Sequence, residues 1–191
     1  FELASGGMGK VYLATTAARA GAGAFVALKR IHPRFASEPR FVEMFLDEAR
    51  IAMSLDHPNI CRVLDFGHAD GAYFMAMEYL VGEPLVRVIR AAARHPRFRD
   101  SPQWQSYAAR IKSSACAGIH AAHELRDHRG APLRVVHRDL SPHNVFLTYD
   151  GRVSVGDFGV ASATDSLHKS ITGEVKGKAA YMAPEQLRGA E

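Results

Sequence analysis

Cysteine is scarce in this chain: Cys61 and Cys116 are the only two among 191 residues. They lie far apart in apolar surroundings, so the sequence suggests neither a disulfide framework nor a zinc site, and a reducing, cytoplasmic setting fits better. No apolar run approaches the roughly 20 residues that a membrane helix needs, and no signal peptide opens the sequence. We therefore expect no membrane segment within these residues.

A strong charge of one sign is also lacking. Lys and Arg number 24 against 20 Asp and Glu, which gives a net charge of +4. This modest excess fits an anionic ligand, but it is too small and too scattered to indicate nucleic-acid binding. The length suits one medium domain or two small lobes. Because the sequence begins with Phe and stops directly after "APEQLRGAE", we interpret it as a piece of a longer protein.

The first 80 residues have mainly the pattern of strands. Apolar residues at the spacing i, i+3, i+4, i+7 predict one amphipathic helix, from about Pro39 to Leu55. Strands are predicted on both sides of that helix, at "FELA", "GKVYLAT", "FVALKRI", "ICRVLDFG" and "AYFMAMEYL".

From Val81 onward the pattern becomes helical. "EPLVRVIRAAAR" predicts a short helix, "HPRFRDSP" a loop, and "QWQSYAARIKSSACAGIHAAHEL" a long, Ala-rich, buried helix. A hairpin of "VFLTY" and "RVSVG" follows. Strands with one helix, then helices with one hairpin, predict two lobes in an α+β arrangement.

Polar residues gather at the open end of this hairpin. Asp150-Gly151 is typical of a two-residue type I′ turn, and with that turn Asn144 would face Asp157. Directly paired residues lie about 5 Å apart, so these two and the upstream Asp139 would form an oxygen-rich pocket suited to Mg²⁺. A hairpin with polar ends and no metal explains the stretch equally well.

Two further features indicate a bound phosphate. Gly6, Gly7 and Gly9 lie in a turn between two strands, where backbone N–H groups can approach an anion closely. Lys29 lies in a hydrophobic strand and Glu48 in the apolar stripe of the helix, where a carboxylate needs a cationic partner, so we expect the two to pair. The simpler alternatives are an ordinary glycine turn and a lysine that extends to the surface.

Six motifs in order resemble those of the protein kinase family, specifically the bacterial eukaryote-like Ser/Thr kinases. They are "SGGMGKVY", "VALK", a helix Glu, "HRDLSPHN", "DFG" and "APE", and they span the chain from Ala4 to Glu185. The resemblance implies a bilobal fold, with a small antiparallel-sheet N-lobe (1–80) and a partial helical C-lobe (81–191). It also implies ATP and Mg²⁺ as cofactors and a Ser or Thr hydroxyl of a protein substrate as the phosphate acceptor.

The resemblance also implies catalytic roles. Asp139 would accept or orient the proton of the attacking hydroxyl, and Asn144 and Asp157 would hold the Mg²⁺ ions. Lys29 would grip the ATP phosphates while Glu48 orients it.

Other implied roles surround these. Arg138 would receive an activation-loop phosphate. The candidate hydroxyls are Ser162, Thr164, Ser166, Ser170 and Thr172, with Ser170 and Thr172 favoured by their distance from "APE". The nucleotide contacts would come from Ser5, Gly6, Gly7, Met8, Gly9, Val11, Ala27, Lys29, Met77, Glu78, Leu80 and Phe146.

Three departures from the family pattern motivate an alternative to the kinase reading, a pseudokinase that binds nucleotide or a partner without turnover. Ala4 replaces the first loop glycine, Ser141 a lysine that reaches the transferred phosphate, and Lys178 a threonine. The stretch that supplies an Arg partner for Glu185 is also missing, so we expect the isolated 191-residue piece to be unstable or inactive. A small-molecule kinase is disfavoured, because such relatives lack a long loop ending in "APE". A protein without any nucleotide site would require all six motifs to be coincidence.

Overall fold

A computed structural model of the chain describes residues 1–6, 9–17, 23–158 and 179–188, apart from the side chains at positions 40, 44, 48, 179, 186 and 187. The first sheet of the protein is antiparallel and has the strand order β1-β2-β3-β5-β4. Its strands are β1 (Glu2–Ser5), β2 (Gly9–Thr15), β3 (Phe25–Ile31), β4 (Val63–Ala69) and β5 (Ala72–Glu78). All five predicted strands are confirmed, and β2 and β3 have the predicted bounds.

Two helices precede β4. Helix α2 (Pro39–Met53) confirms the predicted amphipathic helix, and its apolar stripe is buried in one cluster with residues of β3, β4 and β5. Helix α1 (Pro33–Ala36) is a single turn, too short to reveal itself by periodicity, and it was not predicted. It begins at a proline, which suits the first helical position, and its Phe35 ring stacks on Phe41 with centroids 4.8 Å apart.

The second half of the described chain is mainly helical. Its elements are β6 (Gly82–Pro84), α3 (Leu85–Ala93), α4 (Pro96–Arg99), α5 (Pro102–His123), β7 (Val145–Thr148), β8 (Val153–Val155), a 3₁₀ turn (Ala179–Tyr181) and α6 (Pro184–Leu187). A second antiparallel sheet has the order β6-β7-β8. Together the two sheets and the helices confirm the α+β class.

Three predictions for this half are wrong. The predicted helix start at 83–84 is strand β6, because Pro84 and its neighbours pair with β7. The predicted loop contains α4, which begins at a proline and packs Phe98 against Trp104, with ring centroids 5.6 Å apart. Helix α5 is present but not generally buried: Ile111, Gly118 and Ala122 are its buried residues. No helix within the described ranges is both long and apolar enough to cross a membrane.

The hairpin register also differs from the prediction. Val145 pairs with Val155, and the carbonyl oxygen of Asn144 accepts a hydrogen bond from the N–H of Gly156 at 2.8 Å. Asn144 therefore faces Gly156, and the predicted pairing of Asn144 with Asp157 is wrong by one residue.

The reason lies in the loop, which has three residues instead of two. The N–H of Thr148 donates to the carbonyl of Arg152 at 2.9 Å, which leaves 149–151 outside the pairing. A type I′ turn needs positive φ at both central residues, but here Gly151 has φ +89° and Asp150 does not share it. The Asp150 carboxylate instead accepts a hydrogen bond from the Thr148 hydroxyl. A three-residue loop with Gly in the left-handed region is the next most common hairpin type.

The segment between α2 and β4 joins the two sheets. The N–H of Cys61 donates to the carbonyl of Val155 at 2.8 Å, and the N–H of Val155 donates to the carbonyl of Asn59 at 2.8 Å. The Asn59 side chain adds a bond to the carbonyl of Val153 at 2.7 Å. Helix α5 supports this segment from below, because Gly118 brings its backbone directly against Asn59.

Gly118→Ala should therefore destabilise the protein even though alanine favours helix formation. An added Cβ would lie 2.7 Å from the Asn59 carbonyl oxygen, and overpacking of this kind costs about 1–3 kcal/mol. Chemical denaturation of the full-length protein would measure the loss. Ser113→Ala, at an exposed position of α5, should change the unfolding free energy by no more than about 0.5 kcal/mol. Equal stability of the two variants would contradict the proposed contact.

Candidate active site

His137 anchors the loop that precedes β7. Its side chain is buried, Nε2 lies 3.0 Å from the carbonyl oxygen of Gly156, and Nδ1 lies 3.3 Å from the N–H of Asp139. Its ring also contacts Phe158, with centroids 4.6 Å apart. Burial lowers the pKa of His137, although the bond to Gly156 and the carboxylates of Asp139 and Asp157 oppose the shift. His137 thus links the segment that contains Asp139 to the segment that contains Asp157. The sequence analysis assigned no role to His137.

Asp139 and Asn144 lie side by side, as expected. The Asn144 amide nitrogen donates to the Asp139 carboxylate at 2.9 Å and to the Asp139 carbonyl oxygen at 2.8 Å. Asn144 is buried and Asp139 is half-buried. The amide therefore holds the carboxylate in one orientation.

Two residues of this region have a strained backbone. Arg138 has φ +61° and Asp157 has φ +56°, a region that residues other than glycine rarely occupy. Such conformations cost about 1–3 kcal/mol each and cluster at functional sites. The strain lies next to Asp139 and directly at the second predicted metal ligand.

Lys29 reaches across from the first sheet to Asp157. Its Nζ lies 2.6 Å from Asp157 Oδ1, and the Lys29 side chain is only 11% exposed. Lys29 therefore does not extend to the surface, which was the simpler alternative for this side chain. The side chain of Glu48 lies outside the described part of the chain, so its pairing with Lys29 stays a prediction.

The glycine turn is described in part. Gly7 and Met8 lie outside the described residues, while Ser5 ends β1 and the N–H of Gly6 donates to the carbonyl of Gly9 at 2.9 Å. An added Cβ at Gly9 would lie 2.0 Å from the Arg30 carbonyl oxygen. Gly9 is therefore required for the close approach of β2 and β3, whatever the turn binds.

The other predicted nucleotide contacts lie on paired strands. Val11 pairs with Lys29 across β2 and β3, and Ala27 pairs with Met77 across β3 and β5. Phe146 lies on β7, in the second sheet. Glu78 ends β5, and Leu80 follows two residues later.

A small cavity lies behind Met77. It has a volume of about 10 Å³ and is lined by residues of α2, β4 and β5 together with Asp157 and Phe158. This volume is at the lower limit for holding a single water molecule, about 10–15 Å³. Cys61 also lines it, and burial raises the pKa of its thiol to about 12. At neutral pH the thiol is protonated, so Cys61 is not a nucleophile.

Glu78 makes a contact that sequence reasoning missed. Its two carboxylate oxygens accept hydrogen bonds from the Arg152 guanidinium, at 3.2 and 2.9 Å. The carboxylate also accepts a bond from the N–H of Arg62 at 3.0 Å. The bond to Glu78 raises the pKa of Arg152. Because Arg152 follows the hairpin loop, this pair links the end of β5 directly to the hairpin between Asn144 and Asp157.

Comparison with known proteins identifies the family. The protein kinase domain family matches residues 2–191, and the chain belongs to this family. It is 46% identical to the tyrosine-protein kinase MasK of Myxococcus xanthus, over 100% of this chain and 29% of MasK. It is 34% identical to the serine/threonine-protein kinase PrkC of Bacillus subtilis, over 98% of this chain and 26% of PrkC. The predicted resemblance to bacterial kinases of this family is thereby confirmed.

Solved structures support the fold. The kinase domain of Mycobacterium tuberculosis PknI matches all of this chain and 62% of its own, with a TM-score of 0.65 and 30% sequence identity. The predicted bilobal, kinase-like fold is confirmed. The chain spans less than half the length of the curated relatives MasK and PrkC.

Arg152→Ala should weaken the link between β5 and the hairpin. The Arg152 and Glu78 side chains are only 34% and 24% exposed, so we expect a loss of about 1–3 kcal/mol in unfolding free energy. Arg152→Lys should recover only part of it, because an ammonium group cannot bind both oxygens as a planar fork does. Arg50→Ala removes the exposed pair with Asp47 and should cost no more than about 0.5 kcal/mol in the same denaturation experiment. A loss at Arg152 no greater than that at Arg50 would refute the link.

Acid should destabilise the protein through His137. Its folded-state pKa lies below the ordinary value of 6.5, so the unfolded state binds the proton more readily. The contribution of His137 is complete above that value and falls as pH drops from 6.5 towards the lower, folded-state pKa. Unfolding free energies measured between pH 8 and 5 should therefore fall less steeply for His137→Asn than for wild type. His143→Asn, at an exposed position, should keep the wild-type slope; an unchanged slope in His137→Asn would contradict this account.

Proposed function

We propose that the full-length protein is an ATP-dependent protein kinase that phosphorylates Ser and Thr hydroxyls of a protein substrate. The observation that carries the proposal is a pair of contacts, one made by Asp139 and the other by Asp157. Asn144 holds the Asp139 carboxylate at 2.9 Å, and Lys29 from the other sheet lies 2.6 Å from Asp157. The carboxylates of both pairs act on the buried His137, which supports a shared site in a member of the protein kinase domain family.

The donor chemistry fits a magnesium nucleotide. Asn144 and Asp157 offer the amide and carboxylate oxygens that Mg²⁺ takes as ligands. Among the described residues no three His, Cys, Asp or Glu side chains form a metal-binding group; Mg²⁺ in such enzymes is held by one or two carboxylates together with substrate phosphates. When bound, the ion neutralises phosphate charge. The Lys29 ammonium would hold the phosphates, and the backbone groups of Glu78 and Leu80 would orient the base.

Asp139 would act on the acceptor. Held by Asn144, its carboxylate would orient the attacking hydroxyl and take its proton as the new phosphorus–oxygen bond forms. The bond between the γ-phosphorus and the oxygen that bridges it to the β-phosphate would break in the same transfer, and ADP would leave with that oxygen. Arg138, next to it, would bind a phosphate on the activation segment. The structure does not describe the candidate hydroxyls, from Ser162 to Thr172, or Lys178. The phosphate-binding role of Arg138 and the choice of the phosphorylated hydroxyl therefore stay predictions.

The acceptor is proposed to be Ser or Thr because PrkC carries that name at 34% identity. Tyrosine is the second candidate, since MasK, named a tyrosine-protein kinase, is 46% identical. Ser141 is relevant to the choice between Ser/Thr and Tyr as acceptor, because the lysine that it replaces is usual in Ser/Thr kinases. It replaces the family's usual lysine, is 4% exposed, and its hydroxyl has no hydrogen-bond partner among the described residues.

A silent pseudokinase has less support. Ala4 lies in strand β1, paired with Val11, and an extended residue tolerates the extra methyl group. We also propose that the lobes divide at residues 80 and 81, and that the catalytic domain is cytoplasmic.

Asp139→Asn should lower kcat by about 10²- to 10⁴-fold, because general-base catalysis contributes that much, while nucleotide binding survives. Lys29→Met should also abolish turnover with little loss of folding. The measurement is phosphate transfer from labelled ATP to a generic basic protein by the full-length protein, with nucleotide affinity measured in parallel.

Asp56→Asn, an exposed carboxylate away from the site, is the matched control and should keep wild-type kcat. An Asp139→Asn variant with the wild-type kcat would contradict the assignment of Asp139 as the general base. If the wild-type protein transfers no phosphate with either Mg²⁺ or Mn²⁺, the pseudokinase is favoured. Phosphoamino-acid analysis of the product decides between Ser/Thr and Tyr.

A further inference from the structure

The positive charge of the chain is concentrated in one short segment, which the overall composition conceals. Residues 85–99, "LVRVIRAAARHPRFR", contain five arginines and no acidic residue. Outside this segment 19 of the 24 Lys and Arg remain, fewer than the 20 Asp and Glu. The net charge of +4 therefore comes entirely from residues 85–99, so the prediction that the positive charge is scattered along the chain is wrong.

Two of these arginines lie in α3, and a third, at the residue that follows the helix, continues the same face. Arg87, Arg90 and Arg94 are spaced i, i+3, i+7, which places them within an arc of about 60°. All three are exposed. Like charges three or four residues apart destabilise a helix by about 0.2–0.5 kcal/mol per pair, so folding does not require this arrangement. The C-terminal end of α3 favours a cation, but this does not account for Arg97, which lies in α4.

The charges are only partly neutralised within the protein. Arg87 pairs with Glu83 at 3.0 Å, and Arg99 pairs with Asp100 at 2.7 Å. Arg90, Arg94 and Arg97 have no acidic partner among the residues that the structure describes. These three define an unneutralised basic surface.

Aromatic side chains border this surface. Phe98 and Tyr107 are 42% and 55% exposed, and their ring centroids lie 6.5 Å apart. Exposed arginine beside exposed aromatic residues is the composition found at the centres of protein–protein interfaces.

The basic surface is connected, through the start of α3, to the loop that carries Asp139. The N–H of Val86, in the first turn of α3, donates to the carbonyl of Pro142 at 2.9 Å, three residues after Asp139. Arg90 and Arg94 lie about 6 and 12 Å further along the helix axis. An extended peptide advances about 3.3 Å per residue. A few residues of a bound peptide would therefore span the distance between the start of α3 and these arginines.

We propose that this surface, formed by Arg90, Arg94 and Arg97 with Phe98 and Tyr107, docks an acidic, aromatic-containing segment of the protein substrate. The proposal rests on the proposed protein-kinase function. Charge complementarity selects the acidic character, and the exposed rings supply apolar contact area. A protein segment is favoured over nucleic acid or an anionic membrane, because the surface adjoins the loop that would receive a protein hydroxyl and because charge elsewhere is slightly negative.

The test uses the full-length protein and two acceptor peptides. Both peptides contain the same acceptor Ser and a Trp. One carries six Glu and the other six Gln, placed four to eight residues before or after the Ser. KM for the Glu peptide should be about tenfold lower at equal kcat. The charge-reversed variant R90E/R94E/R97E should lose this difference, and R90K/R94K/R97K should largely keep it. The advantage should also shrink as ionic strength rises.

The matched control reverses three exposed charges elsewhere, R50E/K112E/R129E, and should retain the preference. Equal KM for the Glu and Gln peptides in wild type, or equal loss in the control, would overturn the docking proposal while leaving the kinase assignment intact. Absence of transfer to either peptide would count against the kinase assignment. The docking proposal is then decided by fluorescence anisotropy of both labelled peptides on the Asp139→Asn protein. Tighter, arginine-dependent binding of RNA or of phosphatidylserine vesicles than of the Glu peptide would overturn the choice of a protein segment.

Discussion

Three hydrogen bonds between residues 59–61 and β8 set the frame on which the candidate site depends. Residues 59–61 follow α2 and lead into the first sheet, while β8 leads directly to Asp157. Pairing them fixes Asp157 against the first sheet, so Lys29 on β3 can reach it at 2.6 Å. Gly118 permits this pairing because a larger residue there would collide with the Asn59 backbone.

Within this frame, opposite charges meet across elements that are distant in sequence. Lys29 meets Asp157, and Arg152 meets Glu78. Partly buried ion pairs of this kind add little stability over a well-packed apolar replacement of both partners, although removing one partner alone is costly because it leaves the other without its counter-charge. Their value here is geometric: each one aligns the hairpin with the first sheet. The positive φ values of Arg138 and Asp157 show that the surrounding packing is strong enough to maintain a strained backbone at the same place.

Periodicity predicted those elements whose pattern extends over several residues. The i, i+3, i+4 spacing of Phe41, Met44 and Phe45 identified α2, and β2 and β3 were predicted with their bounds. Short elements failed, because α1 and α4 are one turn each and begin at prolines. Burial of α5 also failed: a run rich in alanine reads as apolar all round, yet packing against β8 buries only one side of it.

The linear sequence by itself determined the family, because catalytic motifs combine residue types at fixed spacings that survive without coordinates. It also determined that Asp139 and Asn144 would meet, since the two lie five positions apart in one loop. Tertiary structure alone decided the hairpin register. The dipeptide Asp150-Gly151 is compatible with a two-residue loop and with a three-residue loop, and these differ by a single hydrogen bond. It alone revealed the Arg152–Glu78 pair, since partners 74 residues apart leave no local signature. It alone showed that the arginine-rich helix α3 begins against the loop that carries Asp139, because that proximity arises from a backbone bond between Val86 and Pro142.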